Sequence, residues 1–326
     1  MKAVLPVAGV GSRLRPQTLG MPKALVPVAG KPILGHILDD LVLLGVTEVV
    51  LIISPAGGPI VDYVKQSYPF LVESVIQQEA LGIGHALYQS RMFVQQDEPW
   101  LIILGDTVYH TDFSLLTMGL ATSAIGVKAL DGDLTRYGLA VVEGDQVIRL
   151  VEKPDNPPSD LVLAGVYYIK KPSELISCLE ELIREKRTTR GEFQLTDGLQ
   201  LMIDRGVPLR IFPVDEWHDC GTPEQLLATN RRLLGLKAQP VLIAGSVVIP
   251  PVVIAADARI EASVIGPYVS VSAGVQITRS VIADTIVGER VVIRDSLLDA
   301  SIIGSDSVLV GRSRQINAGA RTELRG

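Results

Sequence analysis

Residues 8–18, Ala-Gly-Val-Gly-Ser-Arg-Leu-Arg-Pro-Gln-Thr, follow directly on an apolar run from Ala3 to Val7, and Pro22-Lys23 closes the segment. An apolar run that ends in glycine reads as a buried strand opening into a loop. Glycines let the backbone come close to phosphate oxygens and turn its N–H groups toward them. Arg13, Arg15 and Lys23 add cationic side chains in the same short span. The loop lacks the third glycine of a dinucleotide fingerprint and the Gly-Lys-Ser/Thr of a P-loop, so it belongs to neither of those phosphate cradles.

What surrounds this loop is bounded by size and charge. A chain of 326 residues, 47% of them hydrophobic, has material for two cored domains. The net charge is −6, with no long basic block, which argues against nucleic acid as a partner. An acidic protein still takes an anionic nucleotide where positive charge is concentrated locally, as it is in the first loop. Cys178 and Cys220 form no metal-like or redox-like pattern and point to a reduced, cytoplasmic setting. The N-terminus starts a strand at once, without a cationic leader or cleavage site. The apolar stretches are short and interrupted, so no membrane span is expected.

Residues 1 to about 110 alternate apolar runs with helical patterns. Ile33, Ile37, Leu38, Leu41 and Leu44 make one helical face ending at Gly45; Val49–Ile53 reads as a buried strand; Ile60–Gln66 and Ile83–Val94 read as helices; Ser74–Gln77 and Trp100–Leu104 read as strands. This alternation predicts an α/β fold, a Rossmann-like and mostly parallel sheet with helices on both faces. Ligands of such sheets bind outside the carboxyl ends of the strands, where both the first loop and Gly105-Asp106 fall. Asp106 there is an oxygen ligand of the kind a hard divalent cation needs beside a triphosphate. Further strands are expected at Ala124–Leu130, Val147–Val151 and Ala164–Ile169, and helices at Ser173–Arg184, at Leu199–Asp204 and from Pro223 to about Leu236.

From about Val241 the pattern changes. Aliphatic residues recur every five or six positions, among them Ile260, Ile265, Val271, Ile277, Ile282, Val287, Ile293, Leu298, Ile303 and Leu309. That is the pattern of a hexapeptide-repeat parallel β-helix of somewhat under four coils, a sandwich of short strands being the other possibility. Many such β-helices are acyltransferases with a histidine base, but His36, His85, His110 and His218 all lie before the repeat. Assembly or regulation is the expected role. The tail after Gly311, with Arg312, Arg314, Arg321 and Arg325, reads as a solvated basic extension. The expected division is a catalytic domain over 1–238 and a β-helix domain over 239–326.

Gly-x-Gly-Ser-Arg-Leu-x-Pro-x-Thr followed by Pro-Lys closely resembles the signature of sugar-1-phosphate nucleotidyltransferases. Later strings agree in order: Gln77 with Gly82, Gly105-Asp106, Arg136-Tyr137-Gly138, Glu152-Lys153-Pro154, Gly165-Val166-Tyr167, Arg190-Gly191-Glu192 and Trp217-His218-Asp219-Cys220-Gly221-Thr222-Pro223. The likeness covers nearly the whole chain and is strongest to long-form glucose-1-phosphate thymidylyltransferases, which carry a C-terminal left-handed β-helix behind a GT-A-like catalytic domain. It implies that Ala8, Gly9, Gly11, Ser12 and Arg13 bind nucleotide, with Gln77 and Gly82 at the base. Arg13, Lys23 and Asp106 would be catalytic, and Asp106 and Asp219 would hold Mg²⁺. Tyr137, Gly138, Glu152, Lys153, Gly165, Tyr167 and Arg190 would bind the sugar phosphate. Thr107 stands where the family usually has Asn or Asp, which affects contacts to ribose or water.

The activity so implied is nucleotidyl transfer from a nucleoside triphosphate, dTTP or UTP, to a sugar 1-phosphate such as glucose 1-phosphate, in a homo-oligomer. Mannose-1-phosphate guanylyl transfer is one alternative. A non-catalytic, nucleotide-sugar-binding regulatory subunit is another, although such a paralogue would be expected to lose Arg13, Lys23, Asp106 or Asp219, and all four are present.

Overall fold

The structure is a computed structural model that describes residues 1–94, 98–113, 116, 120–236, 241–311 and 315–325. These fall into two compact units: Met1–Gly9 with Ile37–Gly105 and Tyr109–Trp217, and Val10–His36 with Asp106–Val108 and His218–Gly326. The division expected at 238/239 lies outside the described residues. By contact, the signature loop and residues 218–236 group with the β-helix residues.

The first unit holds one nine-stranded sheet. At its heart β1 (Lys2–Pro6) pairs in parallel with β4 (Glu48–Ile53), the short hairpin strands β2 (Pro27–Val28) and β3 (Lys31–Pro32) lying between them in the chain. On the far side of β4 lies β5 (Leu71–Ile76), and on the other side of β1 lies β6 (Trp100–Ile103), both parallel to their neighbours. Ala3, Val4, Leu5 and Val49 to Ile52 are fully buried, as parallel strands covered on both faces must be. The chain moves outward from β1 to β4 to β5, then returns across β1 to β6. The switch in direction therefore falls between β1 and β6, and doubly wound sheets bind ligands at the carboxyl ends there.

After β7 (Thr107–His110) the strands β8 (Ser123–Ala129), β9 (Gly138–Glu143), β10 (Gln146–Glu152), β11 (Leu161–Ile169) and β12 (Leu209–Pro213) complete the sheet, in the order β6-β11-β8-β12-β10-β9. Here antiparallel pairs dominate, and only β8 and β12 run parallel. Strand β12 is absent from the sequence reading. Exposed Arg210 breaks its apolar run, leaving only the alternation of buried Leu209 with Phe212. Strand β5 starts three residues earlier than expected because it is an edge strand with Leu71, Glu73 and Ser74 exposed, so little apolar pattern marks it.

Six helices are described: α1 (Ile33–Leu43), α2 (Gly58–Ser67), α3 (Ile83–Gln89), α4 (Pro172–Arg184), α5 (Leu195–Asp204) and α6 (Pro223–Leu236). Helix α3 is shorter than expected and passes into a 3-10 turn over Ser90–Phe93. Helix α5 begins four residues before Leu199. Helix α4 buries Leu175, Cys178, Leu179 and Leu182, a stripe at helical spacing that joins the core under the sheet.

In the second unit, residues 247–311 and 315–325 belong to a triangular parallel β-helix of the left-handed hexapeptide class, with three parallel sheets of four, five and five short strands among the described residues. Its coils shorten along the chain. Val264 pairs with Val281, Thr285 with Ser301, and Val308 with Glu323, steps of seventeen, sixteen and fifteen residues. Aliphatic side chains point inward in columns; Ile260, Ile277, Ile293 and Leu309 form one, and Ile265, Ile282 and Leu298 another. A serine ladder stitches one corner: the N–H of Ser263, Ser280 and Ser296 each donates to the hydroxyl one coil back, on Ser246, Ser263 and Ser280. The same corner carries a bidentate pair between coils, Arg279 with Asp295, and a second corner carries another, Arg290 with Asp306.

The tail is not a solvated extension. Asn317–Ala318 and Glu323–Arg325 pair with the preceding coil and close the β-helix, so the described rungs exceed the expected number. The expectation failed because this last coil buries only Ala318 as an apolar residue, which leaves no aliphatic signal. Arg312 and Arg314 lie outside the described residues.

A second core joins the signature segment and helix α6 to the coils. Leu14, Val26, Val28, Ile33, Leu226, Leu234, Ile286 and Ile302 belong to it. Asn230, fully buried on α6, accepts from the Ala29 N–H and donates to the Tyr268 carbonyl, and Arg231 makes a two-pronged ion pair with Asp284. No described helix is long and apolar enough to cross a membrane.

Both cysteines are unpaired and buried, Cys178 on α4 and Cys220 ahead of α6. Burial raises both thiols, Cys220 to about 12. The thiolate fraction near neutrality is correspondingly small. In the native protein neither thiol should react with an aromatic disulfide reagent at pH 8, and both should react once urea unfolds the chain. Prompt native-state labelling of either one would contradict the packing.

Candidate active site

Strand β1 ends at Pro6, and the Val7 N–H still bonds to the Ile52 carbonyl before the chain leaves the sheet. Gly9 and Gly11 then differ in kind. A Cβ on Gly9 would meet nothing within 4 Å, so the fold does not demand glycine there, and the open backbone suits approach by a ligand. Gly11 has φ +64°, and a Cβ on it would lie 2.9 Å from the Lys23 Cβ and 3.0 Å from the Thr18 methyl. Only glycine fits that turn. The Thr18 hydroxyl closes it by donating to the Gly11 carbonyl at 2.8 Å. Ser12, Arg13 and Leu14 form a 3-10 turn in which Leu14 is buried while Ser12 and Arg13 are exposed.

Lys23 follows in a third 3-10 turn. It is 8% exposed, and its ammonium reaches Asp106 Oδ2 at 2.9 Å. The Thr107 hydroxyl turns to the other oxygen of the same carboxylate at a long 3.4 Å, which is what the departure from Asn or Asp does in this chain. The Asp106 carbonyl accepts from the Cys220 N–H, bringing the Asp219-Cys220-Gly221 segment beside it. Gly221 is packed against two site groups. A Cβ there would lie 2.8 Å from Asp219 Oδ1 and 2.9 Å from Arg13 Nη2. Gly11, Arg13, Lys23, Asp106 and Asp219, all in the second unit, thus converge on one small volume.

The donors suit a magnesium ion. Two carboxylates stand near each other, and among the described residues no group of three or more His, Cys, Asp or Glu could make a closed metal cage. Mg²⁺ is commonly held by one or two carboxylates together with water and substrate phosphate oxygens.

The remaining predicted residues of the base and sugar-phosphate sets lie in the first unit, most of them in two clusters. In one, Gln77 is buried at the end of β5, and its side-chain amide nitrogen reaches the Gly82 carbonyl and His85 Nδ1, both at 3.1 Å. The carbonyl requires a donor, so that nitrogen donates to both, and the Gln77 oxygen is the amide atom left to accept. Burial holds the His85 imidazole below its ordinary value, which favours the neutral ring. Gly82, with φ +101°, lies where a Cβ would be 2.6 Å from the Phe193 carbonyl.

In the other cluster, Glu152 Oε2 accepts from the Thr196 hydroxyl at 2.6 Å, and Glu152 Oε1 is 3.4 Å from the Lys153 ammonium. A Cβ on Gly138 would sit 2.9 Å from that same Oε2. The Lys153 N–H donates to the Tyr137 carbonyl, and Arg190 donates to the Lys153 carbonyl and to Asp155. Lys153 and Arg190 both hold left-handed backbone, φ 44° and 53°, which non-glycine residues seldom adopt outside sites that need it. Gly165, φ +83°, sits at a bulge of β11 and bonds to Leu104 at the end of β6. Tyr167 is 4% exposed in the sheet core and does not join the Glu152 cluster. Thr196 has no predicted role; its contact with Glu152 is made through helix α5, whose early start the sequence hides.

A glycine loop after the first strand, a lysine–aspartate pair, a second aspartate and a separate carboxylate–lysine cluster define a phosphoryl-group transfer enzyme on an α/β sheet. The nucleotidyl transferase family model matches residues 2–235, and the chain belongs to that family of sugar-1-phosphate nucleotidyltransferases. Among its relatives are UTP–glucose-1-phosphate uridylyltransferase AglF of Haloferax volcanii, 32% identical over 72% of this chain and 96% of that protein, and glucose-1-phosphate thymidylyltransferase of Streptomyces antibioticus, 30% identical over 96% of this chain and 90% of that one. The bifunctional protein GlmU of Methanocaldococcus jannaschii is 34% identical over 76% of this chain, which spans only 60% of its length. A solved UDP-glucose pyrophosphorylase with bound UDP-glucose shares the fold of 72% of the chain, with a TM-score of 0.63 and 21% identity.

Gly221 generates a direct test. Its backbone permits alanine, but the added methyl must push aside the Asp219 carboxylate and the Arg13 guanidinium, both ends of flexible side chains. Gly221→Ala should therefore keep its thermal midpoint within a few degrees while nucleotidyl transfer falls roughly tenfold or more. Wild-type turnover in the variant would show that these two groups are not held where catalysis needs them.

Proposed function

We propose that this protein makes a nucleotide sugar from glucose 1-phosphate, with dTTP as the first choice of nucleotide and UTP as the second. The convergence of Arg13, Lys23, Asp106 and Asp219 around Gly11 and Gly221 carries the reading. Glucose 1-phosphate appears in the names of both the uridylyl and the thymidylyl relative. The thymidylyl relative is matched along nearly its whole length, β-helix region included, which favours dTTP. The Gln77 oxygen suits the N3–H that thymine and uracil share.

The reaction is an in-line displacement. An oxygen of the sugar phosphate attacks the α-phosphorus, the bond from that phosphorus to the bridging oxygen breaks, and pyrophosphate leaves with the electron pair. The attacking oxygen is already ionised near neutrality, so no general base is required. What must be overcome is the approach of two anions and the shift of charge onto pyrophosphate, a task of positioning and charge neutralisation. Arg13 and Lys23 meet the triphosphate and the growing charge. Asp106 and Asp219 would hold Mg²⁺, which would neutralise phosphate charge. Lys153 and Arg190 hold the sugar phosphate, Gly138 and Glu152 its hydroxyls, and Thr196 keeps Glu152 turned.

The chain works as a homo-oligomer in the cytoplasm in this reading. Val247, Val264, Val281 and Leu297 align across one flat sheet of the β-helix, and three of them, Val247, Val281 and Leu297, are more than 40% exposed, a stripe that suits a second copy. The buried, unpaired thiols suit a reducing compartment.

Pyrophosphate release should be fastest with dTTP or UTP and glucose 1-phosphate, and should require a divalent cation. No turnover with any of four nucleotides and several sugar phosphates, in a protein shown to be folded, would sink the reading. Asp219→Asn should lower kcat roughly a hundredfold with the fold intact; an unchanged rate would remove Asp219 from the metal site.

A further inference from the structure

Gln17 is the polar residue of the signature segment that the catalytic reading leaves unused. Its side chain is 7% exposed and turned into the β-helix. The amide nitrogen lies 2.8 Å from the Ala318 carbonyl, 2.9 Å from Asn317 Oδ1 and 3.2 Å from the Ile302 carbonyl. All three acceptors belong to the last two coils. A buried amide that meets only acceptors acts as a donor clamp, and any group without N–H at that position loses all three contacts, although the Ala318 carbonyl still accepts from the Gly304 N–H.

The clamp leads to the site in single steps. Gln17 and Thr18 share one 3-10 turn. Thr18 donates to the Gly11 carbonyl, Gly11 packs against Thr18 and Lys23, and Lys23 pairs with Asp106. On the other side of the loop Leu14 is fully buried in the core that includes Ile286 and Ile302. Gly319, next after Ala318, has no room for a Cβ, which would lie 3.0 Å from the Pro16 carbonyl. The loop is therefore fixed to the coils by a polar and an apolar anchor, with the catalytic Arg13 directly before the apolar one.

We propose that Gln17 is a positioning residue for the triphosphate loop, and that the final coil of the β-helix, through Ile302, Asn317 and Ala318, is a working part of the catalytic apparatus. The proposal rests on the nucleotidyl-transfer reading for its rate effect. The β-helix then has a catalytic duty in each subunit, apart from any part in assembly. Whatever loosens the last coil lowers turnover by letting the Gly11 turn, and with it Arg13 and Lys23, leave register.

The test uses full-length Gln17→Glu, Gln17→Met and Asn317→Ala. Glutamate keeps size and polarity but removes the donors; methionine keeps size alone; Asn317 is exposed and its loss spares the fold. Assayed well below their melting temperatures, both Gln17 variants should lose kcat by tenfold or more with an unchanged KM for the sugar 1-phosphate, and Asn317→Ala should lose two- to fivefold. Hydrogen exchange of the substrate-free protein should rise in peptides covering 11–19 and 315–319 together, and not in peptides of the nine-stranded sheet. Lowered stability with unchanged kcat would overturn the proposal by making Gln17 a structural anchor only; so would exchange that rises in the coil while 11–19 stays protected. If Gln17→Glu does not fold, Gln17→Met and Asn317→Ala decide the same question. If the wild-type protein turns over no substrate pair, the reaction assignment fails, and the exchange measurement alone still decides whether coil and loop are coupled.

Discussion

A lysine almost wholly removed from water must be given a partner, and for Lys23 that partner is the Asp106 carboxylate. Much of the second unit is arranged to keep this pair in place. The lysine stem packs on Gly11, which must be glycine in its left-handed turn, and Gly11 is closed by Thr18. The carboxylate is held by its own backbone, through the Asp106 carbonyl and the Cys220 N–H, beside Asp219. The pair is a resting arrangement of charge. A cation drawn to the Asp106 carboxylate competes with Lys23, and an anion drawn to Lys23 competes with Asp106. Triphosphate with its metal satisfies both at once, so the ion pair is well suited to be exchanged for substrate. Asp106 is 45% exposed at its side chain, so solvent and ligands reach the pair from the carboxylate side while the ammonium stays covered.

The residues proposed for the triphosphate site were legible because they stand in close strings. Gly11, Arg13, Lys23, Asp106 and Asp219 stand in strings whose spacing survives translation into geometry, and the structure brings them together. Gln77, Glu152 and Lys153 were legible for the same reason. Residues that act through others were silent. Thr196 orients Glu152 across forty-four positions of chain, and Gln17 reaches carbonyls about three hundred positions away. Neither leaves a local pattern, because only the tertiary fold creates the contact. Secondary structure was lost where burial does not follow period: on the edge strand β5, in β12 with its exposed Arg210, and in a last coil that carries Ala318 where earlier coils carry isoleucine.

The corners of the β-helix show how a chain poor in aromatics closes tight turns. Ala262, Arg279 and Asp295 occupy left-handed backbone in one column, and Tyr268, Asp284 and Ala300 do so in another. Each costs conformational energy, since a side chain is disfavoured there. The arginine and aspartate members offset part of it by pairing coil to coil, Arg279 with Asp295 and, across to helix α6, Arg231 with Asp284. The buried serine ladder does the same work for backbone N–H groups that the shape of the coil would otherwise strand. A solenoid that satisfies its polar groups so locally makes a stiff body, and stiffness is what a loop fixed to it inherits.

Two different devices thus hold the two sets of proposed ligands. On the triphosphate side the unusual backbone belongs to Gly11, where it costs little, and precision comes from outside the loop through Leu14 and Gln17. On the sugar-phosphate side the unusual backbone belongs to the ligands themselves, Lys153 and Arg190, and precision comes from a closed set of bonds among Tyr137, Lys153, Arg190 and Asp155. The difference follows from what each must bind. A triphosphate presents many oxygens, and a loop of N–H groups and mobile cations adapts to them if its frame is rigid. A sugar 1-phosphate presents one phosphate beside directional hydroxyls, and a lysine held in strained backbone next to an oriented carboxylate can meet both only at one spacing. At Arg190 the local chain itself requires left-handed backbone, since Arg190 and Gly191 are the central residues of the tight turn closed by the reciprocal Thr189–Glu192 hydrogen bonds, so it is at Lys153 that ligand geometry is the better account of the strain.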